Sequence, residues 1–226
     1  MLSDVQKANR VDSSTTLLGL FNENPDNFIS RLLTVDETWL HHFDPESKVQ
    51  SMAWKHVSSP PPTKFCVVTS ARKVMATVFW DADGIVLVDY LEHGSTITGP
   101  YYTDQVGQVR EALKEKRRRK LRRGVLFHQD NAPAHTSSPA LAAIRNAGFE
   151  LLRHPPYSPD LAPSDFYLFP KRKEFMKGRR FADDEDVICT TNDWLEDQEP
   201  TNCELWRNAG PSALQLQETT LKSDKI

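Results

Sequence analysis

A chain of 226 residues with 38% hydrophobic and 26% charged positions has the apolar material for a buried core, which excludes a disordered chain. No run reaches the ~18 apolar residues of a membrane helix, and the opening residues carry no signal-peptide pattern, so no membrane partner is expected. The net charge of −3 does not announce a nucleic-acid binder, and Cys66, Cys189 and Cys203 are too scattered for a disulfide framework or a zinc site.

Residues 2–33 place Val5, Val11, Leu17, Leu18 and Phe21 at roughly helical spacing, and Asn24-Pro25 breaks the pattern, so one or two helices are expected. LLTVDETWL (32–40) reads as a buried strand carrying an acidic residue where a core residue belongs. Residues 45–64, with Pro60, Pro61 and Pro62, read as an extended loop. KVMATVFW (73–80) and GIVLVDYL (84–91) are β-rich runs that the Asp83-Gly84 turn joins into a hairpin. Residues 101–121 are helical by composition. VLFHQDN (125–131) is a short strand running into a loop that Pro133 ends.

A short helix at 138–147, capped by Gly148, leads to a strand at 149–153. The segment HPPYSPDLAPSD (154–165) is a rigid, irregular connection. Ser164 is expected to cap a helix that starts near Asp165 and bends at Pro170. Strands and helices in this order predict a mixed α/β sheet with helices packed on it.

Charge is unevenly spread. Residues 114–123, KEKRRRKLRR, hold eight basic residues against one acidic, and Lys171, Arg172, Lys173, Lys177, Arg179 and Arg180 form a second cluster. Such clusters neutralise phosphates or simply solvate a helix end. Part of the first also fits a nuclear-import signal.

Three aspartates stand at element ends. Asp36 lies on the first strand, Asp130 just past a later strand and Asp165 at the following helix start. Buried carboxylates need a partner or a metal, and three from different elements can converge on hard divalent cations. Singly, each has an alternative: strand end, turn former and helix N-terminus.

The words around these aspartates carry a resemblance. VDETW (35–39), HQDNAPAH (128–135) and HPPYSPDLAPSDFYLF (154–169) together resemble the catalytic core of mariner-family transposases, whose signature sets 34 residues between the second and third aspartates; positions 131 to 164 supply that number here. The resemblance runs from about residue 2 to 198. It implies an RNase H-like fold with a mixed five-stranded sheet flanked by helices. It also implies Mg²⁺-dependent cleavage at transposon ends (Mn²⁺ substituting), then 3′-hydroxyl attack on target DNA.

Carried over, Asp36, Asp130 and Asp165 are the catalytic metal ligands. His128, Asn131 and His135 either orient Asp130 or touch DNA, with a plain structural role equally open for the histidines. Asp160 is read as a loop former, and Trp39 and Trp54 as packing groups. Lys64, Arg72 and Lys73 lie where mariner enzymes reach a partner subunit, so they are expected to contact DNA or a second copy in a homodimer. Arg117, Arg118, Arg119, Lys171 and Arg172 are expected to meet DNA, in the nucleus.

The organisation expected is a helical lead-in over 1–30 (the remnant of a linker to a missing end-reading region), a catalytic domain over 31–198 and a divergent tail over 199–226. Without that region, selective recognition of transposon ends is not expected. For one choice of codons, QETTLKSDK read out of phase spells Gly-Asp-Tyr-Val-Glu-Lys and two stops, so a frame-shifted terminus is one expectation for the tail. The competing expectation for function is an inactive or domesticated transposon-derived protein that binds DNA or a partner. A nuclease of the same fold with another substrate fits the carboxylates but not the words around them.

Overall fold

Ser3 opens α1 (Asp4–Glu23) with a capping box: its hydroxyl accepts from the Gln6 N–H, and the Gln6 side chain accepts from the Ser3 N–H at 2.8 Å. Asn24 then caps α2 (Pro25–Arg31), with Pro25 in the first turn, where its missing N–H costs nothing. The break expected at Asn24-Pro25 is therefore present. The computed structural model describes residues 2–46, 70 and 72–198, so Lys64, Trp54, the triple proline and the tail lie outside the described residues.

Five strands follow: β1 (Leu32–His41), β2 (Lys73–Asp81), β3 (Gly84–Leu91), β4 (Val125–His128) and β5 (Phe149–Leu152). Their order in the sheet is β3-β2-β1-β4-β5. The expected hairpin forms the antiparallel half, and β4 and β5 run parallel to β1. Parallel neighbours cannot be joined by tight turns. The links are helical: α3 (Gly99–Lys116) and α4 (Arg118–Arg123) precede β4, and α5 (Ser138–Asn146) precedes β5. This is the mixed five-stranded sheet flanked by helices that the resemblance implies.

Alternation along β1 decides where the chemistry lies. Leu33 and Val35 face α3 and α5 in a core with Val106, Val109, Leu113 and Ile144. Leu32 and Leu40 face the other way. There α1 and α2 bury Phe21, Phe28 and Ile29 against Leu126 and Leu152, so residues 4–31 share a core with the sheet. On the same face, α6 (Phe169–Met176) and α7 (Asp184–Glu196) bury Phe169, Met176, Val187 and Trp194 against β1 and β2. Asp36 has the parity of this second face, and Glu37 that of the first.

Three local features differ from the sequence reading. The helix expected over 101–121 is two helices, because the chain leaves helical geometry at Arg117 (φ −139°, ψ 44°). The break turns two basic residues inward. Lys120, 4% exposed, donates to the Leu32 carbonyl at 2.8 Å and pairs with the buried Asp81 at 2.8 Å. Arg117 lies 3.6 Å from Asp81 and 3.7 Å from Asp83. Burial holds the Lys120 pKa below its ordinary value, against the pull of Asp81.

Removing one partner of such a pair leaves a buried charge uncompensated. Lys120→Ala is therefore expected to lower the unfolding free energy by about 3 kcal/mol. Its exposed neighbour Arg119→Ala should stay within about 0.5 kcal/mol of wild type. Urea titration measures both, and equal values would contradict the inward lysine.

The second difference is at Ser164. Its hydroxyl accepts from Trp80 Nε1 at 3.0 Å and makes no cap; Ser164–Leu168 form a π-helical turn instead. Pro170 falls in the first turn of α6, where it is tolerated, rather than inside a longer helix. The third is α7, which the sequence reading did not anticipate; Asp183 caps it by accepting from the Asp186 N–H.

Candidate active site

The sheet brings the three aspartates to one electrostatic neighbourhood. Asp36 sits mid-β1, Asp130 two residues beyond β4, and Asp165 in the π-helical turn that packs against β1. Trp80 secures that turn through Ser164 and by stacking on Tyr167 at 6.1 Å. Burial pushes the Asp36 pKa up to about 8, with the like charges of Asp165, Glu37 and Asp130 adding to it against one backbone hydrogen bond. Asp165 is also raised, mainly by burial and further by Asp130, against Lys173.

Asp130 goes the other way. Burial would raise it, but His135 and the Ala132 N–H outweigh that and hold it low. The contacts are short: Asp130 Oδ1 lies 2.6 Å from His135 Nδ1 and 2.9 Å from Ala132 N.

His135 is the centre of this arrangement. It is 2% exposed, packs against the tilted Tyr102 ring at 4.1 Å between centroids, and reaches Glu37 Oε1 through Nε2 at 3.2 Å. Burial disfavours its charged form, yet the hydrogen bonds to Asp130 and Glu37 win and raise it to about 9. The His135 ring thus bridges two carboxylates, one through each nitrogen. Tyr102 donates to Gln129 Oε1 at 2.6 Å, and Gln129 Nε2 donates to the His135 carbonyl at 3.2 Å. Glu37, Tyr102 and Gln129 were missed by the sequence reading. Parity along β1 was the available signal for Glu37, since it must face α3 when Asp36 does not.

Both flanking histidines are buried, which favours an orienting or plain structural role over DNA contact. His128 is buried beside His154, with 3.2 Å between ring nitrogens, and burial lowers its pKa to about 3. Asn131 is exposed and donates to the His154 carbonyl at 2.6 Å, tying the Asp130 loop to the segment after β5. Asp160 does more than form a loop. It pairs with Arg10 of α1 at 3.0 Å, and Arg10 also donates to the Tyr157 carbonyl and Ser158 Oγ, each at 2.8 Å.

The basic residues divide. Arg118, Arg119 and Lys171 are exposed, with Lys171 Nζ 4.0 Å from the Tyr167 ring centre. Lys73 lies 3.8 Å over the exposed Trp39 ring and lines a cavity of about 490 Å³ with Arg72, His42, His93 and the start of α7. One expectation is corrected. Arg172 is 3% exposed and donates to Thr38 Oγ1 and the Trp39 carbonyl, so it braces β1 and cannot meet a phosphate. Burial lowers its pKa to about 10. Arg117 is half-buried and committed to Asp81 and Asp83.

Asp36, Asp130 and Asp165 would offer oxygen ligands only, the kind that suit a hard divalent cation. The raised Asp36 also fits: burial is the main cause and nearby carboxylates add to it, and a cation bound there would favour the ionised form against both. Among the described residues no three His, Cys, Asp or Glu side chains already stand at ligating geometry. Asp130 Oδ1 instead serves His135 and Ala132. No described helix is long and apolar enough to cross a membrane.

The mixed five-stranded sheet is RNase H-like, with acidic residues mid-β1, past β4 and before α6. The family model for transposases with a partial DDE domain matches residues 44–123, a stretch lying between the first and second aspartates. The chain is 30% identical over 198 residues to the mariner Mos1 transposase of Drosophila mauritiana, covering 86% of this chain and 55% of that protein. It is equally 30% identical over 198 residues to the human histone-lysine N-methyltransferase SETMAR, covering 87% of this chain and 28% of that protein. It thus spans little more than half of one curated relative and less than a third of the other.

The catalytic domain of Mos1 superposes with a TM-score of 0.77 at 26% identity, covering 99% of this chain and 96% of that one. The Mos1 paired-end complex with Mn superposes at 0.84 and 27% identity, over 99% of this chain and 64% of that one. Over nearly its whole length the chain is thus similar to the catalytic domain of a mariner-family transposase.

Proposed function

We propose that this chain is a divalent-metal-dependent DNA-cleaving and strand-transfer domain, with Asp36, Asp130 and Asp165 as ligands of Mg²⁺. The observation that supports the reading is the placement of the three aspartates: Asp36 lies mid-β1, Asp130 two residues past the neighbouring β4, and Asp165 in the π-helical turn that packs against β1. Bound there, the metal would activate a water or a 3′-hydroxyl and stabilise the leaving oxygen of a phosphodiester. His135 would hold Asp130 ionised and aimed, and Glu37 would hold His135 in turn. Structures of the relative Mos1 are described with Mn and with Mg, and as paired-end and strand-transfer complexes. DNA as partner extends from these; action as a homodimer and a nuclear location are added as parts of the proposal. The catalytic unit of this proposal spans 31–198, with α1 and α2 packed on it.

The first test is nicking of supercoiled plasmid by purified protein with Mg²⁺ or Mn²⁺. Metal-dependent nicking supports the reading, and persistence of nicking in EDTA would sink it.

A proton-linked effect accompanies metal binding. With its pKa raised to about 8, Asp36 takes up a proton on folding across the range between its unfolded value and 8. Ion-free stability is therefore expected to fall as pH rises through that window, and the loss to be complete above about 8. A cation reverses the preference. Mg²⁺ binding at pH 7 should release about one proton and tighten with rising pH until about 8. Calorimetry in two buffers of different ionisation enthalpy measures the release; none at pH 7 would remove Asp36 from the ligand set.

A second reading has its own support: a curated relative of equal identity carries a different activity in its name, and this chain covers 28% of it. In that reading the domain binds DNA or a partner without turnover. Absence of nicking together with DNA binding would favour it.

A further inference from the structure

Between β5 and Asp165 the backbone adopts a conformation that packing alone does not require. Tyr157 is the one described non-glycine residue with positive φ, at 58°. Its side chain is 73% exposed. A bulky residue in the left-handed region is strained, and an exposed ring recovers nothing by burial.

The strain is held from outside the loop. Arg10 of α1 donates to the Tyr157 carbonyl and to Ser158 Oγ, each at 2.8 Å, and its guanidinium grips both oxygens of Asp160 at 3.0 and 3.2 Å. Ser158 is itself buried. One arginine thus fixes the chain on the C-terminal side of the tyrosine and leaves the ring outside.

The place is informative. Three residues earlier, the His154 carbonyl accepts from Asn131, the neighbour of Asp130, and the His154 ring meets His128. Three residues span at most about 11 Å, so Tyr157 stands close to the Asp130 loop. Its neighbours Pro155 and Pro156 line a groove of about 280 Å³ together with Asp130, Asn131, His154 and Asn9. Eight residues later comes Asp165. The ring is therefore carried on the connection between two of the three aspartates, at the rim of a groove that opens on one of them.

We propose that Tyr157 is a DNA-positioning residue whose ring stacks on an unpaired base next to the phosphodiester held at the carboxylates. Stacking suits this task because every base offers a π-face, so the contact tolerates sequence. Backbone strain kept in place by a dedicated clamp, at the edge of a cleft, is the pattern expected where a side chain must be presented outward. The proposal rests on the DNA reading above and adds to it a residue and a mode of contact.

The test is equilibrium binding without metal, by fluorescence anisotropy, of a blunt duplex and of the same duplex with a single-stranded 3′ overhang carrying 2-aminopurine. Tyr157→Ala and Tyr157→Gly are expected to weaken overhang binding about tenfold and to abolish quenching of 2-aminopurine, while blunt-duplex affinity stays within about twofold. Tyr157→Phe keeps the ring and should keep both signals.

Tyr157→Gly should also raise the melting temperature by about 2 °C, since glycine relieves the positive φ. A gain in stability with a loss of binding is what a merely exposed tyrosine would not produce. Should wild type bind while Tyr157→Ala binds and quenches equally, the positioning role is overturned and the DNA reading stands. Should wild type bind neither probe, the DNA reading falls and the role with it.

Discussion

Asp130→Asn is expected to reduce Mg²⁺-dependent plasmid nicking by about a thousandfold while the domain stays folded. The magnitude follows from the several kcal/mol that a metal supplies to developing charge, at about 1.4 kcal/mol per factor of ten. The structure indicates why the fold should survive. Asp130 is exposed, and an amide oxygen in its place can still accept from the Ala132 N–H. Circular dichroism and melting of the variant should therefore match wild type to within a few degrees. Nicking left intact in Asp130→Asn would remove this residue from the chemistry, whatever the family likeness.

His135→Ala should damage both stability and activity. Its imidazolium lies between Glu37 and Asp130, and the ring packs on Tyr102. Taking it away leaves the Glu37 carboxylate without this partner, a loss of about 3 kcal/mol for a buried charge pair. For a domain of this size that is a fall in melting temperature of about 6–12 °C. Residues that orient a ligand typically contribute 10–100-fold to activity or metal affinity, so nicking by the surviving folded fraction should drop by about that factor.

Glu37→Gln separates the two effects. It keeps a hydrogen-bond partner for His135 but removes one of the charges that hold the ring protonated, so the pH profile of metal binding should shift more than the melting temperature. A His135→Ala protein with unchanged stability would mean that the bridge carries no weight. Unchanged nicking would mean that Asp130 needs no orienter.

Much of this molecule was legible along the chain. The break at Asn24-Pro25, the hairpin around Asp83-Gly84 and the strands before HQDN and HPPY all depend on short-range rules: proline geometry, turn chemistry and β-rich runs. The mariner words marked Asp36, Asp130 and Asp165 because each word is a local pattern with a set spacing.

What remained hidden depends on contacts between residues distant in sequence. The run KEKRRRKLRR reads as outward-facing, whether toward phosphates or toward solvent, yet Lys120 points inward because Asp81, far earlier in the chain, lies buried opposite it. Arg172 looked like its basic neighbours until β1 closed over it.

Sequence alone therefore determined most of the elements, the family resemblance and the acidic residues to inspect, since those reside in local propensity and word spacing. Tertiary structure decided which charges are spent inside, that Glu37 reaches Asp130 through a buried histidine, and that Arg10 holds Tyr157 out toward solvent. The physical reason is that burial and hydrogen-bond partnership are properties of pairs. In this fold the decisive pairs lie 98 residues apart for His135 with Glu37, and 150 apart for Arg10 with Asp160.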